Sequence, residues 1–319
     1  EILNRDLGKT SDINSEIRDL EKLNFIHPAQ SLSDFYQFKN VLTREVSYET
    51  ILKSNRKIMH RMAGEVIESE YHDRVELFLY DLAIHYDLAG QDGKAKKYLD
   101  SAGEKAASIY DNKQAIRFYK RYIELLKDNE LNIGLDAKSK IADILILTGG
   151  WKEAKSIYED INQQAIKIKD NIREAQFSGG LGNSYYLLGD FKQARSCFEK
   201  QLSISDKLSL KEEWSRSMGY IGSLNIDEGH LDDAMVCFKE QEEYFIAENE
   251  DMQLSHVYGN MGTVHLRQGK MNDAKTFYEK QLSRCEKYNL KHQGAKALGN
   301  LGIINIITGQ FSDAIKVFQ

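Results

Sequence analysis

A chain of 319 residues has length enough for about two domains. Its 41% hydrophobic and 29% charged side chains are those of a folded protein, which excludes a disordered chain, and its net charge of −6 argues against a nucleic-acid surface. A single proline, Pro28, excludes most loop-rich β folds and favours long helices.

In chain order, Ile13, Ile17, Leu20 and Leu23 recur at helical spacing and predict a first amphipathic helix. Phe25-Ile26 and Phe35-Tyr36-Gln37-Phe38 are β-rich runs on either side of a turn containing Pro28, a predicted hairpin. Val41 to Leu52 and Ile58 to Ile67 predict two more helices. A helix followed by a two-stranded wing makes residues 1–70 a winged-helix-like module. The module is not basic overall, so DNA is not its expected partner.

Residues 75–127 carry two degenerate helical units, Leu82…Tyr86…Gly90…Ala95…Leu99 and Ala102…Ala106…Tyr110…Ala115…Tyr119. They lie only about twenty residues apart, so their helices are compressed or shared. From 132 to 319 a strict period takes over. Gly149, Gly189, Gly229, Gly269 and Gly309 fall forty residues apart. Each is followed by an alanine (Ala154, Ala194, Ala234, Ala274, Ala314) and an aromatic (Tyr158, Phe198, Phe238, Tyr278, Phe318). Full periods begin near 132, 172, 212 and 252, and a truncated one near 292. In one period Leu181, Tyr185 and Leu188 line one helix, and Phe191, Ala194, Phe198 and Leu202 line the next, with a glycine turn between. The glycine pairs Gly179/Gly182, Gly219/Gly222, Gly259/Gly262 and Gly299/Gly302 sit inside helices, where each glycine costs about 1 kcal/mol against alanine. Their recurrence predicts close helix–helix approach. A phosphate loop is not the explanation, because no GxxxxGK[ST] occurs in the chain.

The segment Leu181-Gly182…Tyr185…Gly189…Ala194…Phe198 resembles the tetratricopeptide repeat. The resemblance implies an all-α fold, a right-handed superhelix of helix pairs (TPR), here with the small N-terminal winged-helix-like module. The proline usual after the second helix is replaced by Asp206, Ile246 and Glu286. Without that stop the second helix runs on, which fits a forty-residue period in place of the usual one of about 34.

A second resemblance covers about residues 35–127. Tyr36-Gln37-Phe38-Lys39-Asn40-Val41-Leu42-Thr43-Arg44-Glu45-Val46-Ser47-Tyr48, then Arg56-Lys57-Ile58-Met59-His60, is similar to the segment joining ATPase core to TPR region in STAND-type signalling ATPases. Asn40 stands where that family often has histidine. The resemblance implies an upstream ATPase, often with an adenylate or guanylate cyclase, acting in cis. The chain itself has no Walker A loop and no paired metal-binding aspartates, so no catalytic, cofactor-binding or metal-binding residue is expected within it.

Three cysteines without a CxxC, two of them (Cys197, Cys237) at equivalent repeat positions, read as reduced cytoplasmic thiols. No apolar run approaches the ~18 residues of a membrane span, so no membrane partner is expected. The chain starts at Glu1 without methionine or signal peptide and stops at Gln319 inside a repeat, so it reads as a piece of a longer protein. His60, His72 and His85, like His256 and His265, are spaced wrongly for a helical metal pair and read as solvated or packing residues.

The first helix of each TPR pair is expected to line a concave groove. Its columns read Gln176, Arg216, His256, Lys296; then Asn183, Ser223, Thr263, Ile303; then Tyr220, Asn260, Asn300. Polar side chains with a basic column suit an extended peptide bearing carboxylates. Gln201, Gln241 and Gln281 fall on the second helices and are expected to support packing between repeats. The expected function is a non-catalytic protein- or peptide-binding scaffold or sensor within a larger signal-transduction ATPase or cyclase. The alternative is a self-standing TPR adaptor that bridges two proteins.

Overall fold

A computed structural model describes residues 13–28 and 36–318. Phe35, on the predicted second strand, lies outside the described residues. The chain divides into two compact units, with the boundary between Ala137 and Lys138. The fold is all-α, of the TPR superhelix class, with a small helix-and-wing element at its start.

In the first unit, helix α1 (Ile13–Lys22) leads into strand β1 (Ile26–Pro28), paired antiparallel with β2 (Tyr36–Phe38) in the register Ile26↔Phe38 and Pro28↔Tyr36. Helices α2 (Val41–Thr50) and α3 (Lys53–Glu70) follow, the first capped by the Asn40 side chain, which accepts from the Leu42 amide at 2.8 Å. After a 3-10 segment, His72–Phe78, come α4 (Leu79–Ala89), α5 (Asp92–Ser108) and α6 (Asn112–Glu124). The two degenerate units are therefore three helices, and α5 is the shared one. It buries Ala95 and Leu99 for one pattern and Ala102 and Ala106 for the other. Helix α7 (Leu131–Leu147) carries the boundary between the units.

The second unit continues with α8 (Trp151–Lys167), α9 (Asn171–Leu187), α10 (Phe191–Leu208), α11 (Lys211–Glu228), α12 (Leu231–Ala247), α13 (Leu254–Arg267), α14 (Met271–Lys287), α15 (Lys291–Ile307) and α16 (Phe311–Phe318). Each helix packs on the next, and α9, α11, α13 and α15 also touch in series, forming one layer. The turns into the second helices need a left-handed residue, which Gly189 (φ 82°) and Gly229 (φ 84°) supply without a Cβ clash. The Asp190 N–H then reaches back to the Tyr185 carbonyl at 3.0 Å, and the Asp190 carboxylate caps the next helix at the Gln193 amide. Asp206, Ile246 and Glu286 lie inside the last turns of α10, α12 and α14, so these helices run through the site where proline would stop them.

The core is the period in three dimensions. Ala194, Ala234 and Ala274 are fully buried, as are Phe198, Phe238 and Tyr278. Each aromatic lies on a glycine of the facing helix: Phe198 on Gly182, Phe238 on Gly222, Tyr278 on Gly262. The other glycine of each pair faces the glutamine: Gly179 faces Gln201, Gly219 faces Gln241, Gly259 faces Gln281. The glutamines therefore pack first within their own helix pair. Gln201 also reaches the next repeat, donating to Glu213 Oε2 at 2.7 Å.

No described helix is long and apolar enough to cross a membrane. Cys197 is half-buried and Cys237 and Cys285 are buried, all as free thiols, and burial pushes the Cys197 thiol up to about 11.

Candidate peptide groove

The layer formed by the first helices opens between α11 and α13 into a cavity of about 740 Å³, floored by α12. Five of the ten residues expected in the groove line it: Arg216, Tyr220 and Ser223 from α11, and His256 and Asn260 from α13. Gln176, Asn183, Thr263, Lys296 and Asn300 lie elsewhere along the layer. Gln176 and Lys296 are exposed, while Asn183, Thr263 and Asn300 are half-buried. The Ser223 and Thr263 hydroxyls both donate to their own helix, at the Gly219 and Gly259 carbonyls, 2.9 Å away in each case. Their place is set by the backbone rather than by solvent.

Sequence columns drawn only from first helices miss the five of fourteen lining residues that come from other elements. Tyr244 and Phe245 come from the end of α12, and Glu250 and Gln253 from the turn that follows. The signal for them was the aromatic pair and acid crowding the last turn before the next first helix. Tyr220 stacks on Phe198 with centroids 4.6 Å apart. Tyr244 meets Phe245 at 5.1 Å and Trp214 edge-on at 6.1 Å. Aromatic side chains present large contact areas with few rotatable bonds, which suits a binding wall.

The electrostatics differ from a simple basic column. Arg216 is paired at 2.8 Å with Glu212 and lies 3.5 Å from Glu213. Partial desolvation and then the charge of Lys296 lower the pKa of His256, which disfavours the charged form of its ring. Beneath, Tyr158 donates to Asp143 at 2.5 Å, and burial raises the Asp143 pKa against that hydrogen bond. Among the described residues no group of three or more His, Cys, Asp or Glu side chains could hold a metal ion.

Residues distant in sequence also meet in the first unit. His60 on α3 and His85 on α4 bring their Nδ1 atoms to 2.9 Å, while Tyr48 on α2 lies 2.9 Å from His60 Nε2. Two Nδ1 atoms at that distance share one proton, so both rings cannot be cationic. Burial, then the charge of His85, lowers the His60 pKa; burial lowers that of His85 against the pull of Asp81. A histidine held below its unfolded value of about 6.5 contributes its stabilisation above that value and loses it as pH falls. The thermal midpoint of the first unit is therefore expected to drop between about pH 7.5 and about pH 5.5. The drop should shrink in H85Q, measured by circular dichroism; an equal drop in the variant would refute the role of the pair.

The tetratricopeptide repeat family matches residues 175–207 and 253–319, so the chain contains TPR repeats there. No curated protein matches it in sequence. Among solved structures, the chain is similar to BtubC (BKLC) from P. vanneervenii at 18% identity and TM-score 0.52, over 68% of this chain and 88% of that one. It is similar to aspartyl phosphate phosphatase F from Bacillus subtilis at 16% identity and TM-score 0.57, over 86% and 85%. It is also similar to the Rap conjugation gene regulator of plasmid pLS20, solved in complex with the Phr* peptide, at 14% identity and TM-score 0.59, over 73% and 62%. Such identities establish the fold alone.

Proposed function

We propose that this chain is the peptide- or protein-binding part of a larger cytoplasmic signalling protein, with the ligand held along the layer of first helices. The observation that carries the reading is the aromatic-walled cavity between α11 and α13, on the face where the polar columns converge. The same fold holds a peptide in the Rap regulator complex. Gln176 and Asn183 extend the path in one direction and Thr263, Lys296 and Asn300 in the other. In this reading residues 1–70 are a coupling module, 75–127 degenerate TPR units and 132–319 the array. The module relays occupancy to a STAND-type ATPase or nucleotide cyclase in cis, by shifting a packing equilibrium that the ligand biases.

Peptides selected by display against the chain test the groove. N260W, which fills the cavity from a half-buried position on α13, is expected to weaken the selected peptides by at least about tenfold, measured by isothermal titration. An unchanged affinity in a variant with an unchanged melting curve would place binding elsewhere.

A further inference from the structure

Around the cavity, carboxylates outnumber the cations that could answer them. Glu212 and Glu213 share the single guanidinium of Arg216, and the Glu213 carboxylate also accepts from Gln201. Glu250, on the opposite rim, has no ion pair among the described residues. The next cation along α11, Lys211, is already paired with Glu248. Lys296, whose charge acts on His256, is a further cation near that rim but does not line the cavity.

Two buried polar side chains sit below these charges. Gln241 (7% exposed) and Ser215 (2% exposed) both line the cavity, and Gln241 Oε1 and Ser215 Oγ have no hydrogen-bond partner. The Gln241 amide nitrogen donates to the Ser215 carbonyl at 2.6 Å, which fixes the amide so that its oxygen is the free end. Gln201 and Gln281 Oε1 and Ser255 Oγ are unmet in the same way at the equivalent positions of the neighbouring repeats, so these atoms belong to the packing of the repeat, and the charges carry the argument. The aromatic walls complete the picture, because ring faces attract cations.

Resting on the groove reading, we propose that this cavity seats a basic side chain of the bound peptide, lysine or arginine. Its alkyl stem lies against Tyr244 and Val257, and its charged head answers Glu212 and Glu250. An acidic side chain would have to displace Glu212 from Arg216 while standing beside Glu250. The columns alone suggested a carboxylate-bearing ligand; the pairing of Arg216 within the site reverses that sign.

The probes are four pools of fluorescein-labelled heptapeptides, blocked at both ends and fixed at the centre as Lys, Arg, Leu or Glu, titrated by anisotropy with the full chain. The Lys and Arg pools are expected to bind at least about tenfold more tightly than the Glu pool. That advantage should shrink between about 50 mM and about 500 mM salt, as screening requires. In the double variant E212Q/E250Q the advantage should fall to within about twofold, while the Leu pool binds as before and reports an intact groove. Tighter binding of the Glu pool overturns the proposal, as does an advantage that survives both substitutions. Binding of the Leu pool with no preference for a basic centre also sinks it and leaves the groove reading standing. Binding by no pool removes the groove reading itself, and this inference with it.

Discussion

Gly182→Val is expected to lower the stability of the second unit by about 3 kcal/mol, a large fraction of what holds an ordinary domain together. A Cβ at 182 would stand 2.6 Å from the Phe198 ring and 3.0 Å from Cys197 Cβ. Phe198 cannot retreat. It is fully buried and stacked on Tyr220. Helix propensity works in the other direction, since valine gains about 0.5 kcal/mol over glycine in a helix interior. Overpacking is several times larger and decides the sign. Gly299→Val is the control, because a Cβ there meets nothing within 4 Å, and it is expected to be neutral or slightly stabilising. Phe198→Ala alone should cost about 4 kcal/mol by leaving a cavity. The double variant should cost less than the sum of the two, because the valine enters the space that the ring has left. Urea denaturation followed by circular dichroism measures all four proteins. Strict additivity would mean that the two residues do not meet.

That contact explains why so much of the array was legible. Alanine, aromatic and glycine recur because each buries the other two across one helix pair, and a residue type restricted by close packing leaves a visible period. The turns after the second helices recur just as strictly in space but not in letters. Lys169, Ser209, Asn249 and Asn289 are all left-handed, with φ of 59°, 55°, 57° and 54°. Asparagine tolerates that region and marks two of the four; lysine and serine give no hint. The groove was half legible for a similar reason. Columns along first helices follow from the period, whereas Tyr244 and Glu250 line the wall at one inter-repeat junction, and their counterparts forty residues away, Ile204 and Arg284, Leu210 and Leu290, differ in type. The charge of the site was least legible, because it depends on whether Arg216 is free or paired, and only side-chain geometry answers that.

Glu68→Leu is expected to destabilise the first unit by about 3 kcal/mol, since three donors lose one acceptor group at once. Glu68 ends α3, and its carboxylate accepts from Tyr86 on α4 and from Lys94 and Tyr98 on α5, each at 2.5 Å. Tyr86 is fully buried and Tyr98 nearly so, their rings stacked 5.6 Å apart. Leucine at 68 would leave the Tyr98 hydroxyl without its acceptor and Tyr86 with only Lys94 beside it. Glu68→Gln keeps an acceptor but loses the charge, and should cost about half as much. Burial raises the Glu68 pKa, but the hydrogen bonds from Lys94, Tyr86 and Tyr98 outweigh it and hold the pKa below the ordinary carboxylate value. A carboxylate depressed in the folded state contributes its stabilisation above its unfolded pKa of about 4.3 and loses it as pH falls through the folded value. The gap between wild type and Glu68→Gln should therefore close on acidification below about pH 4. A gap that stays constant with pH would show that the carboxylate charge contributes nothing. The same residue bears on coupling, because Glu68 joins the last helix of the N-terminal module to both helices of the first repeat unit. If occupancy is relayed through that junction to the signalling domain proposed in cis, Glu68→Gln should leave peptide affinity unchanged and weaken that domain's response. A matching loss of affinity and response would mean that the junction only holds the fold together.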